Sequence, residues 1–224
     1  VSFYPAHHMT MGEGGGVVVN NPDFKKIIRS LRDWGRDCWC DPGCNDTCGR
    51  RFDWRMGELP YGYDHKYVYS NLGYNLKATD MQAAIGLAQF DKLPGFIEAR
   101  RANFHRFMEG LAPLQDVLEL PRLDPRAEPS PFGFPITLKE GIDRRALITH
   151  LEAAKIETRL VFGGNILLQP GFLQIPRRVH GDLTQSDRIM TSTFFLGVYP
   201  GLGEAQIAYV IERLFAFFGR RREA

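Results

Sequence analysis

The sequence predicts an α/β fold from three observations: apolar residues at helical spacing in several segments, short runs of strand-forming residues between them, and a β-α-β-α order in the second half. Gly14 to Asn20 reads as a glycine turn feeding a Val17-Val18-Val19 strand, closed by Asn20-Asn21-Pro22. From Pro22, with Asp23 in the first turn, Phe24, Ile27, Ile28 and Leu31 define an amphipathic helix ending near Trp34-Gly35. A second helix starts at Ala78 or Thr79 and runs to Gln89, with Met81, Ala84, Ile85 and Ala88 on one apolar face. A third, rich in arginine and phenylalanine, spans about Phe96 to Leu111 and begins a second domain. Beyond the proline-rich stretch from Leu120 to Pro135, Phe132 to Leu138 reads as a strand. Asp143 then caps a helix through Ala154, Ile156 to Phe162 reads as another strand, and Glu204 to Phe218 closes the chain as a helix carrying Ile207, Val210, Ile211, Leu214 and Phe218.

Composition narrows the function classes. Lys+Arg 28 against Asp+Glu 26 gives a net charge of +2, with 44% hydrophobic and 24% charged residues, a globular profile without a nucleic-acid footprint. The basic Arg220-Arg221-Arg222 run reads as a solvated tail. No apolar run approaches the roughly 18 residues of a membrane span, and no basic-then-apolar leader precedes the first motif, so the expected setting is cytoplasmic.

All four cysteines fall in one turn-rich stretch, Asp37-Cys38-Trp39-Cys40-Asp41-Pro42-Gly43-Cys44-Asn45-Asp46-Thr47-Cys48. Structural cysteines scatter through a fold, whereas clustering in a reducing compartment points to a metal or iron-sulfur site. The C-x-C spacing lacks the paired C-x2-C units of a zinc ribbon, which leaves zinc second to a 2Fe-2S cluster, whose usual complement is four thiolates.

At the other informative stretch, Ser2-Phe3-Tyr4-Pro5-Ala6-His7-His8 leads into the Gly12-Glu13-Gly14-Gly15 turn. This resembles the cofactor motif of the pyridoxal-phosphate sugar aminotransferases of the DegT/DnrJ/EryC1/StrS superfamily, in which a lysine follows the serine by five residues. In those enzymes the lysine forms the Schiff base with the coenzyme. Here His7 takes that place. Imidazole forms no stable imine but keeps base function near neutrality, its unperturbed pKa being about 6.5. Transamination, which needs a lysine near position 7, finds none before Lys25.

Together, the histidine-for-lysine exchange and the C-x-C-x7-C pattern of Cys38, Cys40 and Cys48 resemble one branch, the CDP-6-deoxy-L-threo-D-glycero-4-hexulose-3-dehydrases, over nearly the whole chain. The resemblance implies the C-terminal portion of a fold type I PLP-dependent transferase. Residues 1–94 would end the large cofactor domain, with a cysteine loop at 37–50, and 95–224 would form a small α/β domain. The pyridine-nitrogen aspartate, the ring-covering aromatic group and the phosphate turn of such enzymes are not identifiable in the chain, so activity is expected to need a missing N-terminal half.

The implied activity is C3 dehydration of a CDP-4-keto-6-deoxyhexose with pyridoxamine phosphate and a 2Fe-2S cluster, His7 acting as base. Ser2 and Asn75 would contact the cofactor phosphate, Asn75 that of the neighbouring subunit of a homodimer, with His8 beside them on the cofactor side. Arg159 and Asn165 would face the nucleotide sugar, a guanidinium suiting its diphosphate. Cys38, Cys40 and Cys48 would ligate the cluster, with a fourth ligand far upstream and electrons from a flavin-containing iron-sulfur reductase. Cys44 departs from the pattern as a bystander, a replacement ligand or an adventitious thiol. Three competitors stay open: a cluster-free sugar 3-dehydrase, a conventional aminotransferase, and a noncatalytic metal-binding or dimerisation fragment.

Overall fold

In the computed structural model, which describes residues 1–41 and 43–221, the chain divides into two units, Val1–Phe90 and Asp91–Ala224. Pro42 of the cysteine loop and Arg222 of the basic tail lie outside the described residues. Arg220 is not a free tail residue, because its guanidinium pairs with Asp116.

The first unit is held by turns and two helices. Helix α1 spans Pro22–Arg32; Asn21 caps it by accepting from the Asp23 amide at 2.9 Å, and Pro22 sits where a helix has no use for the missing N–H. It stops at Asp33, because Trp34 and Gly35 turn to positive φ (62° and 85°). Helix α2, Asp80–Phe90, begins at a reciprocal cap in which the Gln82 amide donates to Thr79 Oγ1 (3.2 Å) and the Thr79 amide to Gln82 Oε1 (2.8 Å). Its expected apolar face is not core: Met81 is 77% exposed, Ile85 is exposed, and only Gly86 is buried. Nor do Val17 to Val19 form a strand. Among the described residues that region pairs only through the isolated Ser2–Gly15 bridge, and a strand needs a neighbour to take its hydrogen bonds.

The second unit holds the hydrophobic core. Its elements are α3 (Leu93–Leu111), β1 (Leu118–Glu119), β2 (Gly133–Leu138), α4 (Arg144–Ala153), β3 (Thr158–Leu160), α5 (Thr184–Ser192), β4 (Thr193–Gly197) and α6 (Glu204–Phe217). The four strands form one antiparallel sheet in the order β1-β2-β4-β3. In β2, Phe134, Ile136 and Leu138 alternate onto the buried face, and register sets Phe134 against Leu196 and Ile136 against Phe194. Phe107 and Leu111 of α3, Leu147 and Leu151 of α4, and Ile207 and Ile211 of α6 cover that face.

Several sequence expectations hold closely here. Asp143 caps α4 by accepting from the Arg145 and Ala146 amides (2.8 and 3.2 Å), and α6 ends within a residue of its expected boundary. Strand β3 is shorter than expected, because Phe162 at φ 47° and Gly164 at φ 60° break the extended run. Strand β4 and helix α5 were not expected, and β4 is the strand that joins β2 to β3. Buried Asn103 of α3 donates to the Tyr199 and Leu202 carbonyls (3.1 and 3.2 Å), which fixes the turn into α6.

Candidate active site and cysteine loop

The His7 segment is a loop closed by its own backbone. Phe3 N–H donates to Gly14 O (2.9 Å), Gly16 N–H to Val1 O (2.8 Å) and Met11 N–H to Phe3 O (3.0 Å), so residues 1–3 lie against 14–16 and the histidines sit on the excursion between them. Gly12 turns the chain at φ 81°, where a side chain would be strained. Within the excursion His7 N–H donates to Tyr4 O at 2.9 Å, and the two rings meet edge to face at 5.8 Å. His7 and His8 are both half-buried.

Helix α2 braces this loop from behind. Gln82 Nε2 donates to Glu13 O at 3.0 Å, and Gly86 lies so close to buried Met11 that a Cβ there would approach Met11 Cγ to 2.8 Å. Ser2 Oγ accepts from the Tyr4 amide at 3.3 Å and keeps its own proton to donate. Exposed Asn75 lies on a different segment, tied to the end of α1 by Tyr74 N–H to Leu31 O (2.7 Å) and Leu76 N–H to Arg32 O (3.0 Å), with Lys77 Nζ donating to its Oδ1 at 3.3 Å. A hydroxyl donor and a half-buried imidazole on one braced loop fit one wall of a coenzyme pocket, with Asn75 presented separately.

In the cysteine loop all four cysteines are thiols. Cys38 and Cys40 share a hydrogen bond; burial pushes the Cys38 thiol up, whereas hydrogen bonding from Thr47 pulls the Cys40 thiol below its ordinary range. The Thr47 amide donates to Cys40 Sγ at 3.4 Å. Cys44 is exposed. Cys48 Sγ lies 3.7 Å from both Asp46 Oδ1 and His65 Nδ1.

His65 is a residue the sequence reading passed over, and it is 1% exposed. Its Nε2 meets Asp37 Oδ2 at 2.6 Å, the other Asp37 oxygen accepts from Ser70 Oγ at 2.8 Å, and the rings of Trp39 and Trp54 flank the imidazole at 5.4 and 5.2 Å. The only local signal was Asp64, a turn cap one residue before it; the Asp37 partner lies 28 residues away. Asp64 is itself gripped by Arg51 through two bonds of 2.9 and 2.6 Å, which hold its carboxyl down at about 2.

In donor chemistry the loop fits an iron-sulfur cluster: soft thiols, with a backbone amide aimed at the Cys40 sulfur. Among the described residues, however, no three His, Cys, Asp or Glu side chains gather closely enough to hold a single metal ion. The sulfurs stand as a Cys38-Cys40 pair with Cys48 apart beside His65. That is unlike the closed four-ligand arrangement of a structural zinc.

The two residues expected on the substrate side belong to the second unit. Arg159 follows Thr158, which is anchored by its amide and hydroxyl to Glu152 Oε1 of α4 (both 2.7 Å), and its exposed guanidinium pairs with Glu157. An exposed pair of this kind is worth about 0–1 kcal/mol. Asn165 is 7% exposed, and its side chain has two partners: Oδ1 accepts from the Leu167 amide (3.1 Å) and Nδ2 donates to Asp187 Oδ1 (2.7 Å). Its side chain shapes the 162–168 loop.

The sequence pattern of the DegT/DnrJ/EryC1/StrS aminotransferase family matches residues 1–215. The lipopolysaccharide biosynthesis protein RfbH of Salmonella typhimurium is 56% identical over 221 residues, which is 98% of this chain and 51% of that protein. The dTDP-4-dehydro-2,6-dideoxy-D-glucose 3-dehydratase of Saccharopolyspora spinosa is 51% identical over 222 residues, 98% of this chain and 48% of that protein. Among solved structures, Escherichia coli GDP-4-keto-6-deoxy-D-mannose-3-dehydratase with bound hydrated PLP superposes with a TM-score of 0.77 at 25% identity, over 95% of this chain and 53% of that one. The chain thus spans about half the length of the relatives it matches. With the match running from the histidine loop into the last helix, the chain belongs to the DegT/DnrJ/EryC1/StrS aminotransferase family and has its PLP-dependent transferase fold.

Proposed function

We propose that the chain forms the base-carrying part of a 3-dehydratase acting on a nucleotide-linked 4-keto-6-deoxyhexose, with pyridoxamine phosphate and a 2Fe-2S cluster as cofactors. The observation that carries this reading is His7 in the place of the family's lysine, on a loop braced by α2. Relatives named as sugar 3-dehydratases support the reaction class.

When bound, pyridoxamine phosphate supplies the amine that condenses with the sugar C4 ketone and a ring that accepts electrons. Ser2 Oγ–H, its lone pair already held by the Tyr4 amide, donates to the coenzyme phosphate. His7, held by its amide and the Tyr4 ring, takes the proton from the coenzyme C4′ carbon and returns it to the departing C3 oxygen. His8 lines the cofactor side and orients His7. Asn75, exposed on a separate segment, would serve the phosphate of a second subunit in a homodimer. Arg159 exchanges Glu157 for the substrate diphosphate.

Cys38, Cys40 and Cys48 would hold a 2Fe-2S cluster, which would supply one-electron chemistry fed by a flavin-containing iron-sulfur reductase. The family spacing and the sulfur-directed Thr47 amide support that assignment, and exposed Cys44 stands outside it. Four free thiols suit a reducing cytoplasmic compartment. No helix among the described residues is long and apolar enough to cross a membrane.

The motif pair points to CDP as the nucleotide, with dTDP the competitor through the relative at 51% identity. Product analysis after incubating the intact protein with pyridoxamine phosphate, reduced reductase and CDP-, dTDP- or GDP-linked sugar tests both claims. A 3-deoxy product, formed fastest from the CDP sugar, is expected; an amino sugar would overturn the reaction class. A second reading, a cluster-free 3-dehydratase, draws on the absence of three converging donors among the described residues, and predicts full activity in iron-free protein.

A further inference from the structure

We propose that Asp37 and His65 form a positioning pair that fixes Cys48 relative to Cys38 and Cys40. The inference rests on the cluster reading above. Asp37 immediately precedes the first cysteine and His65 reaches the last, so one imidazole spans the ends of a loop whose middle is exposed turns.

The direction of the link follows from its chemistry. A carboxylate only accepts, so Nε2 carries a proton facing Asp37, which turns the ring's other nitrogen, Nδ1, toward Cys48 Sγ, 3.7 Å away. Every part of this chain is held from outside the cysteine loop. The Asp37 amide donates to Val68 O (3.0 Å), and the His65 amide donates to Arg51 O (3.0 Å). The turn His65–Tyr67 is capped by Asp64, itself clamped by Arg51. Trp39 and Trp54 enclose the ring, so water does not compete for either nitrogen. Outer-shell groups that orient a metal ligand typically cost 10–100-fold in metal binding when lost.

The alternative is that His65 merely fills space between two tryptophans. Anaerobic iron and sulfide reconstitution of the intact protein separates the two, with iron retention against a chelator, EPR of the reduced cluster and thermal unfolding read on the wild type, H65F, D37N and C44S. H65F keeps an aromatic ring without its nitrogens, and D37N keeps shape without charge at a residue whose side chain is 27% exposed. The expected result is a cluster in wild type and C44S, with about 10–100-fold weaker retention and displaced g values in both H65F and D37N. Wild type without a cluster signal sinks the cluster reading and this proposal with it. A wild-type cluster whose retention and g values survive unchanged in the variants, even with lowered melting temperatures, overturns the positioning role alone. If H65F does not fold, D37N decides.

Discussion

Replacing Gly35 with alanine tests how the cysteine loop and the Asn75 segment are joined to α1. Gly35 has φ 85°, and a Cβ there would lie 1.7 Å from the Asn71 carbonyl oxygen, so the 70–73 backbone must retreat by more than about 1 Å to reach even the shortest separation real Cβ atoms show. That retreat breaks the bonds from the Ser70 and Asn71 amides to Gly35 O (3.0 and 3.1 Å), each worth about 1 kcal/mol. Left-handed backbone at a non-glycine residue adds roughly 1–2 kcal/mol. The local cost is therefore about 3–4 kcal/mol, which in amide exchange lowers protection at Ser70, Asn71 and Tyr74 by a few hundredfold, at about 1.4 kcal/mol per factor of ten. Gly141 provides the control: its φ is 86° but nothing lies within 4 Å of its Cβ position, so G141A carries only the strain. If G35A costs no more than G141A, the close backbone approach is not what ties these segments together.

Other outcomes follow from the same geometry. Phe134 is fully buried, with its ring 5.0 Å from Phe104 and 5.3 Å from Phe107, so F134A should destabilise the second unit by about 3–5 kcal/mol in urea unfolding; a loss under 1 kcal/mol would contradict the core assignment. Asp64, its folded pKa lowered to about 2 by Arg51, stabilises the His65 turn fully above its unfolded value of about 3.9, and this support is lost as pH falls through about 2. A carboxyl resonance titrating near 4 would show that the Arg51 clamp is not formed. C44S should leave iron content unchanged, since Cys44 is exposed on the loop; loss of iron would make it a ligand.

Helices α1, α4 and α6 were legible because periodic apolar residues coincide with local caps at Asn21, Asp143 and the Gly203 turn, where interactions span only a few residues. Helix α2 shows the limit: its period was right, but period reports which face is apolar and not what covers it, and Met81 stands exposed. Strand β4 escaped notice because Thr193 follows Ser192 of α5 with no intervening turn, so no glycine or proline marks the change of period. At the site, His7 and the clustered cysteines were legible as local patterns. The link from Asp37 to His65 was not, since it spans 28 residues and depends on how the 64–70 segment folds back along Arg36 and Asp37. The partners of Asn165 were not legible either: it caps the turn at Leu167 and bonds Asp187, 22 residues away.

The central claim is that His7 moves a proton where the family's lysine otherwise would. Its most direct test is exchange of the pyridoxamine phosphate C4′ hydrogen with deuterated water, followed by mass spectrometry in the intact protein and in H7N. General bases contribute about 10²–10⁴-fold, so H7N should lose exchange by at least that lower factor while still binding the coenzyme. Exchange at the wild-type rate in H7N would contradict the assignment and move the base to another residue.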